Sequence, residues 1–273
     1  MAKRNRKLVE SLIGKPCIFC CGSKQSDSIE HAPPVVLFLG RDRPRGLEFS
    51  ACKRCNLGSS QRDQVAACLA IIARDAASNE NHGEEIAKLL RAINRNNPEV
   101  LQYFEDTGKS DEVTISVNGR ESVRYLVPMN RRVFRDWLNP WAAKQACALW
   151  FQETDAIIDQ NQRILITWIM PDEFHRVGVH EKILETLPTY ESMKMGKRDY
   201  SNQFAYHFAV NSKENLGGFF VILQNSVAFI ALILPNSDIS RLKSEIKLGN
   251  LFRVSSAAGI EKCLGAPFAE VEG

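Results

Sequence analysis

The feature that most constrains this chain is a pair of Cys-x-x-Cys knuckles, Cys17–Cys20 and Cys52–Cys55, set 31 residues apart. A knuckle offers two thiolates on one turn, and two knuckles complete the tetrahedral sulfur set that zinc takes. The remaining cysteines, Cys21, Cys68, Cys147 and Cys263, are scattered, so the pattern favours a metal in a reducing compartment over disulfides. Cys21 stands beside Cys20 as an alternative ligand. Common four-cysteine sites span roughly 15 to 20 residues between pairs, so the longer gap here has to hold something else. What it holds is Glu30-His31-Ala32-Pro33-Pro34.

Ser28 to Ala32 reads as a short strand ended by Pro33-Pro34, because proline removes a ladder donor and fixes φ. Gly40 to Gly46 reads as a basic hairpin loop carrying Arg41, Arg43 and Arg45, with Leu47 to Ala51 as the returning strand. Ser59 or Ser60 can cap a helix to about Ala77, with Val65, Leu69, Ile72 and Ala76 as its apolar stripe. Strand, strand and helix pinned by zinc make a ββα-metal arrangement.

In this order, Cys17-x-x-Cys20, Glu30-His31-Ala32-Pro33-Pro34 and Cys52-x-x-Cys55-Asn56-Leu57-Gly58-Ser59-Ser60 resemble the HNH endonuclease family, in its Glu-His-x-Pro-Pro variant. The resemblance covers about residues 15 to 78 and implies hydrolysis of phosphodiester bonds in DNA. His31, mostly neutral at pH 7, suits a general base. Glu30 and Asp63 are hard oxygen ligands suited to a catalytic magnesium or manganese. Asn56, by resemblance, braces the segment that carries His31. The family's last position is often histidine or asparagine; Asp63 fills it here, with Gln61 and Gln64 as alternatives in register. Arg41, Arg43, Arg45, Arg54 and Arg62 are placed to hold the phosphate backbone, which positions a nucleic acid without reading its sequence. Neighbouring strand residues point to opposite faces, so Glu30 and His31 serve one site only if the strand bends or ends there.

Charge supports a nucleic-acid partner. Residues 1 to 76 hold 13 Lys+Arg against 7 Asp+Glu, while residues 77 to 273 hold 22 against 25. The positive charge therefore travels with the cysteine motif, where it can release counterions from phosphates. The Leu216 to Leu234 run is near membrane-spanning length, but Gln224-Asn225-Ser226 divides it into two strand-length pieces, so no membrane is expected and a cytoplasmic location is.

The expected organisation is α+β: an N-terminal zinc-stapled ββα-metal HNH module (1–78), a helical linker (79–110), and an α+β domain with an antiparallel sheet (111–273) for targeting, regulation or dimerisation. Within these, Glu84 to Asn94 is expected as a helix ended by Asn94 to Pro98. Val113 to Val117 and Val123 to Val127 are expected as a hairpin. Arg131 to Asn139 and Trp141 to Ile158 are read as helices separated at Pro140. Trp137, Trp141 and Trp150 are read as core, and Met193 to Arg198 as a basic loop. The resemblance implies a role against foreign DNA. RNA as substrate and a homo-oligomeric state are left open. A non-catalytic zinc-stapled binding or interaction module competes, and whether Glu30, His31 and Asp63 meet around a cation-sized space separates the two.

Overall fold

The computed structural model describes residues 9–78, 82–105, 111–117, 120–126, 133–169, 179–237 and 253–256. Strands β1 (Ser28–His31) and β2 (Glu48–Ala51) pair antiparallel, with His31 opposite Glu48 and Glu30 opposite Phe49. Helices α1 (Lys53–Leu57) and α2 (Ser60–Ser78) follow directly. Between the strands the chain makes two 3-10 turns, Val35–Leu37 and Leu39–Arg41, the second running into the segment expected as a hairpin loop from Gly40 to Gly46. Along α2 the buried residues include Val65, Ala66, Leu69, Ala70, Ile71 and Ala73, whereas Ile72, expected in the stripe, is 40% exposed. Ala76 lies outside the described side chains.

Helix α3 (Gly83–Asn96) runs slightly beyond its expected span. The helix ends within the 94–98 run as expected, and Pro98 then starts α4 (Pro98–Glu105), because a missing N–H costs nothing in a first helical turn. Strands β3 (Asp111–Val117) and β4 (Arg120–Leu126) form the expected hairpin, its turn residues 118–119 lying outside those described. A π-helical turn, Phe134–Leu138, leads into α5 (Asn139–Thr154), and Pro140 again sits in a first turn instead of dividing two helices.

The rest builds around β5 (Gln162–Ile169), α6 (Val179–Thr186), β6 (Thr189–Ser192), the small hairpin β7 (Lys194–Met195) and β8 (Arg198–Asp199), β9 (Phe204–Asn211), β10 (Leu216–Leu223), β11 (Val227–Pro235) and β12 (Arg253–Ser256). Six of these strands form one antiparallel sheet in the order β12-β5-β11-β10-β9-β6. The apolar 216–234 run is the β10–β11 hairpin, turning through Gln224 and Asn225 at φ 50° and 49°. Among the described residues no helix is long and apolar enough to cross a membrane.

Helix α5 joins the two halves. Every residue from Asn139 to Trp150 is buried, so the helix needs cover on all sides. Phe151, near its end, meets Phe49 of β2 at 6.2 Å between ring centroids, and Trp141 meets Phe229 of β11 at 6.0 Å. Trp150 packs so closely on β10 that a Cβ at Gly217 would lie 2.8 Å from its ring, which explains a glycine in mid-strand. One buried cluster therefore runs from Cys17 and Phe19 to Phe204 and Phe229. The core is continuous across the expected division between residues 1–78 and 111–273.

Candidate functional site

Four sulfurs converge at the base of β1 and β2. The Sγ atoms of Cys17, Cys20, Cys52 and Cys55 lie within 4.8 Å of one another, and all four residues are buried. Tetrahedral zinc with sulfur at about 2.3 Å needs sulfurs roughly 3.8 Å apart, so the cluster is compatible with structural zinc. Cys20 belongs to the cluster; Cys21, left-handed at φ 53°, does not. A hydrogen bond from the Cys55 thiol lowers the pKa of the Cys17 thiol, favouring the thiolate form that a metal binds.

Glu30 points inward from β1 and finds a partner that its motif does not announce. Lys144 of α5 places Nζ 2.5 Å from Glu30 Oε2 and 3.1 Å from the carbonyl oxygen of Cys55, and it also donates to the Ser59 hydroxyl. All three ammonium donors are thereby used. The Phe19 ring lies 5.1 Å from the same nitrogen. Burial pushes the Glu30 carboxyl up, and Lys144 pulls it back towards the ionised form. Asp63, one turn into α2, accepts a hydrogen bond from the Trp141 indole at 3.0 Å. Burial pushes its carboxyl up to about 7, Lys144 opposing and Glu30 adding to the rise.

His31 faces the other way. Strand β1 ends at His31 without bending before it, so the alternation of the strand separates the buried Glu30 from an imidazole that is 46% exposed. His31 Nδ1 lies 3.8 Å from Glu48 Oε1 on the paired strand. Burial of the imidazole first, and Arg43 second, lower its basicity, and Glu48 opposes them. Asn56 Nδ2 donates to the Ile29 carbonyl at 2.9 Å, holding the strand two residues before His31.

The arginines divide by burial. Arg41, Arg45 and Arg54 are exposed. Arg43 was expected at the phosphate backbone, but its side chain is 4% exposed and its guanidinium donates to the carbonyls of Pro33, Pro44, Gly46 and Leu47 and to Glu48. It fastens the loop instead. Arg62 likewise turns inward, donating to the carbonyls of Asp136 and Gly58 beside the Trp137 ring.

Glu30, His31 and Asp63 thus do not enclose one cation-sized space. A divalent cation needs carboxylate oxygens with lone pairs to give. Glu30 is taken by an ammonium, the Asp63 carboxyl is held by the Trp141 indole and pushed by burial towards its neutral form, and His31 lies on the opposite face. The residues as they stand do not fit the magnesium or manganese expected from the sequence. Among the described residues, the four cysteines are the only group of three or more His, Cys, Asp or Glu at ligand spacing.

Lys144 and Trp141 are the residues that sequence reasoning missed. A signal was there: Lys144 is the lone charge in the apolar run Trp141 to Trp150, and a lysine buried in such a helix requires a counter-charge. No protein-family model, curated protein or solved structure matches this chain.

Proposed function

We propose that the chain is an endonuclease of the HNH kind, hydrolysing phosphodiester bonds of DNA with His31 as general base. The observation that carries this reading is the setting of His31: exposed at the end of a strand, kept neutral, and held on a scaffold fixed by Asn56 and the four-cysteine cluster. A neutral imidazole can take a proton from a water attacking phosphorus. Glu48, 3.8 Å away on the Nδ1 side, steadies the imidazolium once the proton has moved. Exposed Arg41, Arg45 and Arg54 on the same module supply positive charge for the phosphate oxygens. Zinc, held by Cys17, Cys20, Cys52 and Cys55, supplies rigidity and no step of the reaction. A role against foreign DNA rests on the family resemblance alone.

That Glu30, His31 and Asp63 do not meet around one cation counts, by the criterion set above, for a second reading, a non-catalytic zinc-stapled module that binds nucleic acid: the acid expected to hold a catalytic cation is already neutralised by Lys144. Nicking of supercoiled plasmid by zinc-replete protein, in magnesium, manganese or neither, separates the two. Cutting that is lost in His31→Ala supports the nuclease. Binding without cutting under every condition, by wild type, leaves the binding module.

A further inference from the structure

The Met193 to Arg198 stretch is an anchored hairpin. The six residues of β7, its turn and β8, Lys194 to Asp199, are all exposed, and Met195, 44% exposed, is one of few large apolar side chains open to solvent among the described residues. Gly196 makes the turn at φ 63°, in open space. Lys194 and Lys197 flank Met195 in the hairpin, and Arg198 follows them in β8.

Both roots are fixed. Met193 and Tyr200 are buried, and the Tyr200 N–H donates to the Met193 carbonyl at 2.9 Å. Asp199 accepts from the Ser192 hydroxyl at 3.0 Å and from the Ser201 N–H at 2.8 Å. Arg198 and the Tyr200 hydroxyl both donate to Asp42, at 2.6 and 2.8 Å. Asp42 lies between exposed Arg41 and buried Arg43, and Arg43 Nε donates to the Pro33 carbonyl at 2.6 Å, two residues past His31. The hairpin is therefore tied, through Asp42 and Arg43, to the segment that carries the candidate base.

We infer that the β7–β8 hairpin is a finger for duplex DNA, placing Met195 as an apolar wedge in the minor groove while Lys194 and Lys197 neutralise the flanking phosphates. An exposed apolar side chain flanked in sequence by exposed lysines has the composition of minor-groove wedges, which partly unstack a base step. A solvated loop would need no such anchoring, whereas a finger fixed at its roots has little conformational freedom left to lose on binding. The narrow groove of B-form DNA grips such a wedge; the wide, shallow minor groove of A-form RNA does not. The inference rests on the nucleic-acid reading proposed above and adds the duplex and the groove.

The test uses full-length, zinc-replete His31→Ala protein, so that nothing is cut, and a fluorescein-labelled DNA duplex of about 20 base pairs with 2-aminopurine at successive steps. Anisotropy across a salt series is expected to show that Lys194→Ala/Lys197→Ala binds more weakly and lowers the log–log salt slope by roughly 1.8, about 0.9 per phosphate contact. Met195→Ala is expected to keep that slope and lose the 2-aminopurine brightening that reports unstacking. Circular dichroism matching that of the parent keeps the comparison one of contacts. If the parent binds and neither change alters slope or brightening, the finger is wrong while the nucleic-acid reading survives. If duplex RNA is bound with the same dependence on Met195, the groove assignment is overturned. Failure of the parent to bind duplex DNA at low salt removes both.

Discussion

Lys144 Nζ lies 2.5 Å from Glu30 Oε2, with side-chain exposures of 1% and 7%. A charge pair this deeply buried is costly to break from one side, because the survivor keeps its charge and loses its partner; the cost is about 3–5 kcal/mol. Lys144→Met and Glu30→Gln should each destabilise the protein by that order in urea unfolding. The double variant, with neither charge left, should cost clearly less than the sum of the two. Additive losses would mean that the pair does not act as a unit.

His31 should respond quite differently. Its side chain is 46% exposed, so His31→Ala should change stability by no more than about 0.5 kcal/mol while abolishing cleavage. Burial and Arg43 lower its pKa below the ordinary 6.5. The neutral base is therefore complete at lower pH than for a free histidine, and cleavage should rise with pH below 6.5 and be flat by pH 7. Because the folded protein holds the proton less well than the unfolded chain, His31 also makes stability fall as pH drops below 6.5. A cleavage profile still rising between pH 7 and 8 would point to another base.

The contrast between these two residues shows how far the sequence could be read. Local signals were sufficient for the ββα order: Pro33-Pro34 ends β1, the knuckles fix both ends of the intervening segment, and Asn56 falls where it can reach the Ile29 carbonyl. What local signals could not supply was the partner of Glu30, because Lys144 is 114 residues away and joins it only when α5 packs against β1 and α1. The same long-range packing turned Trp141 from plain core into a hydrogen-bond donor to Asp63. Pro140 starts a helix where the sequence suggests a break for a simpler reason: proline both ends helices and starts them, and only the chain on either side decides.

Zinc should be part of folding rather than an accessory to it. Four buried sulfurs at the foot of β1, β2 and α1 would have to be held together by the metal, and metal binding in such sites is largely folding energy. Cys52→Ser should lower bound zinc from about one per chain and expose the 17–57 segment to proteolysis. Zinc release assayed with a chromogenic chelator, alongside limited digestion, checks both. Cys21→Ser should leave zinc content unchanged.

Asp63 carries a pH signature of the opposite sign to that of His31. Its folded pKa of about 7 stands above the ordinary 3.8, so between about pH 4 and 7 the folded protein holds a proton that the unfolded chain has lost. Stability from this group is complete below pH 4 and declines as pH rises through 7. Asp63→Asn, which mimics the protonated acid, should match wild type near pH 4 and exceed it by about 2–4 kcal/mol at pH 8. Thermal unfolding across that range checks it, and a constant difference between the two proteins would contradict the assignment.

The arginines of the 41–45 loop should separate stability from affinity. Arg43 spends its guanidinium on four carbonyls and Glu48 inside the loop, so Arg43→Ala leaves those acceptors unpaired and should cost about 3–5 kcal/mol. Because its Nε holds the Pro33 carbonyl, the loss should also loosen the turn that follows His31. Arg41 and Arg45 are exposed, and replacing either with alanine should leave stability within about 0.5 kcal/mol. If they touch phosphates, each replacement should lower the salt slope of DNA binding by roughly 0.9. Unfolding and salt-dependent anisotropy, measured on the same three variants, should therefore rank them in opposite orders.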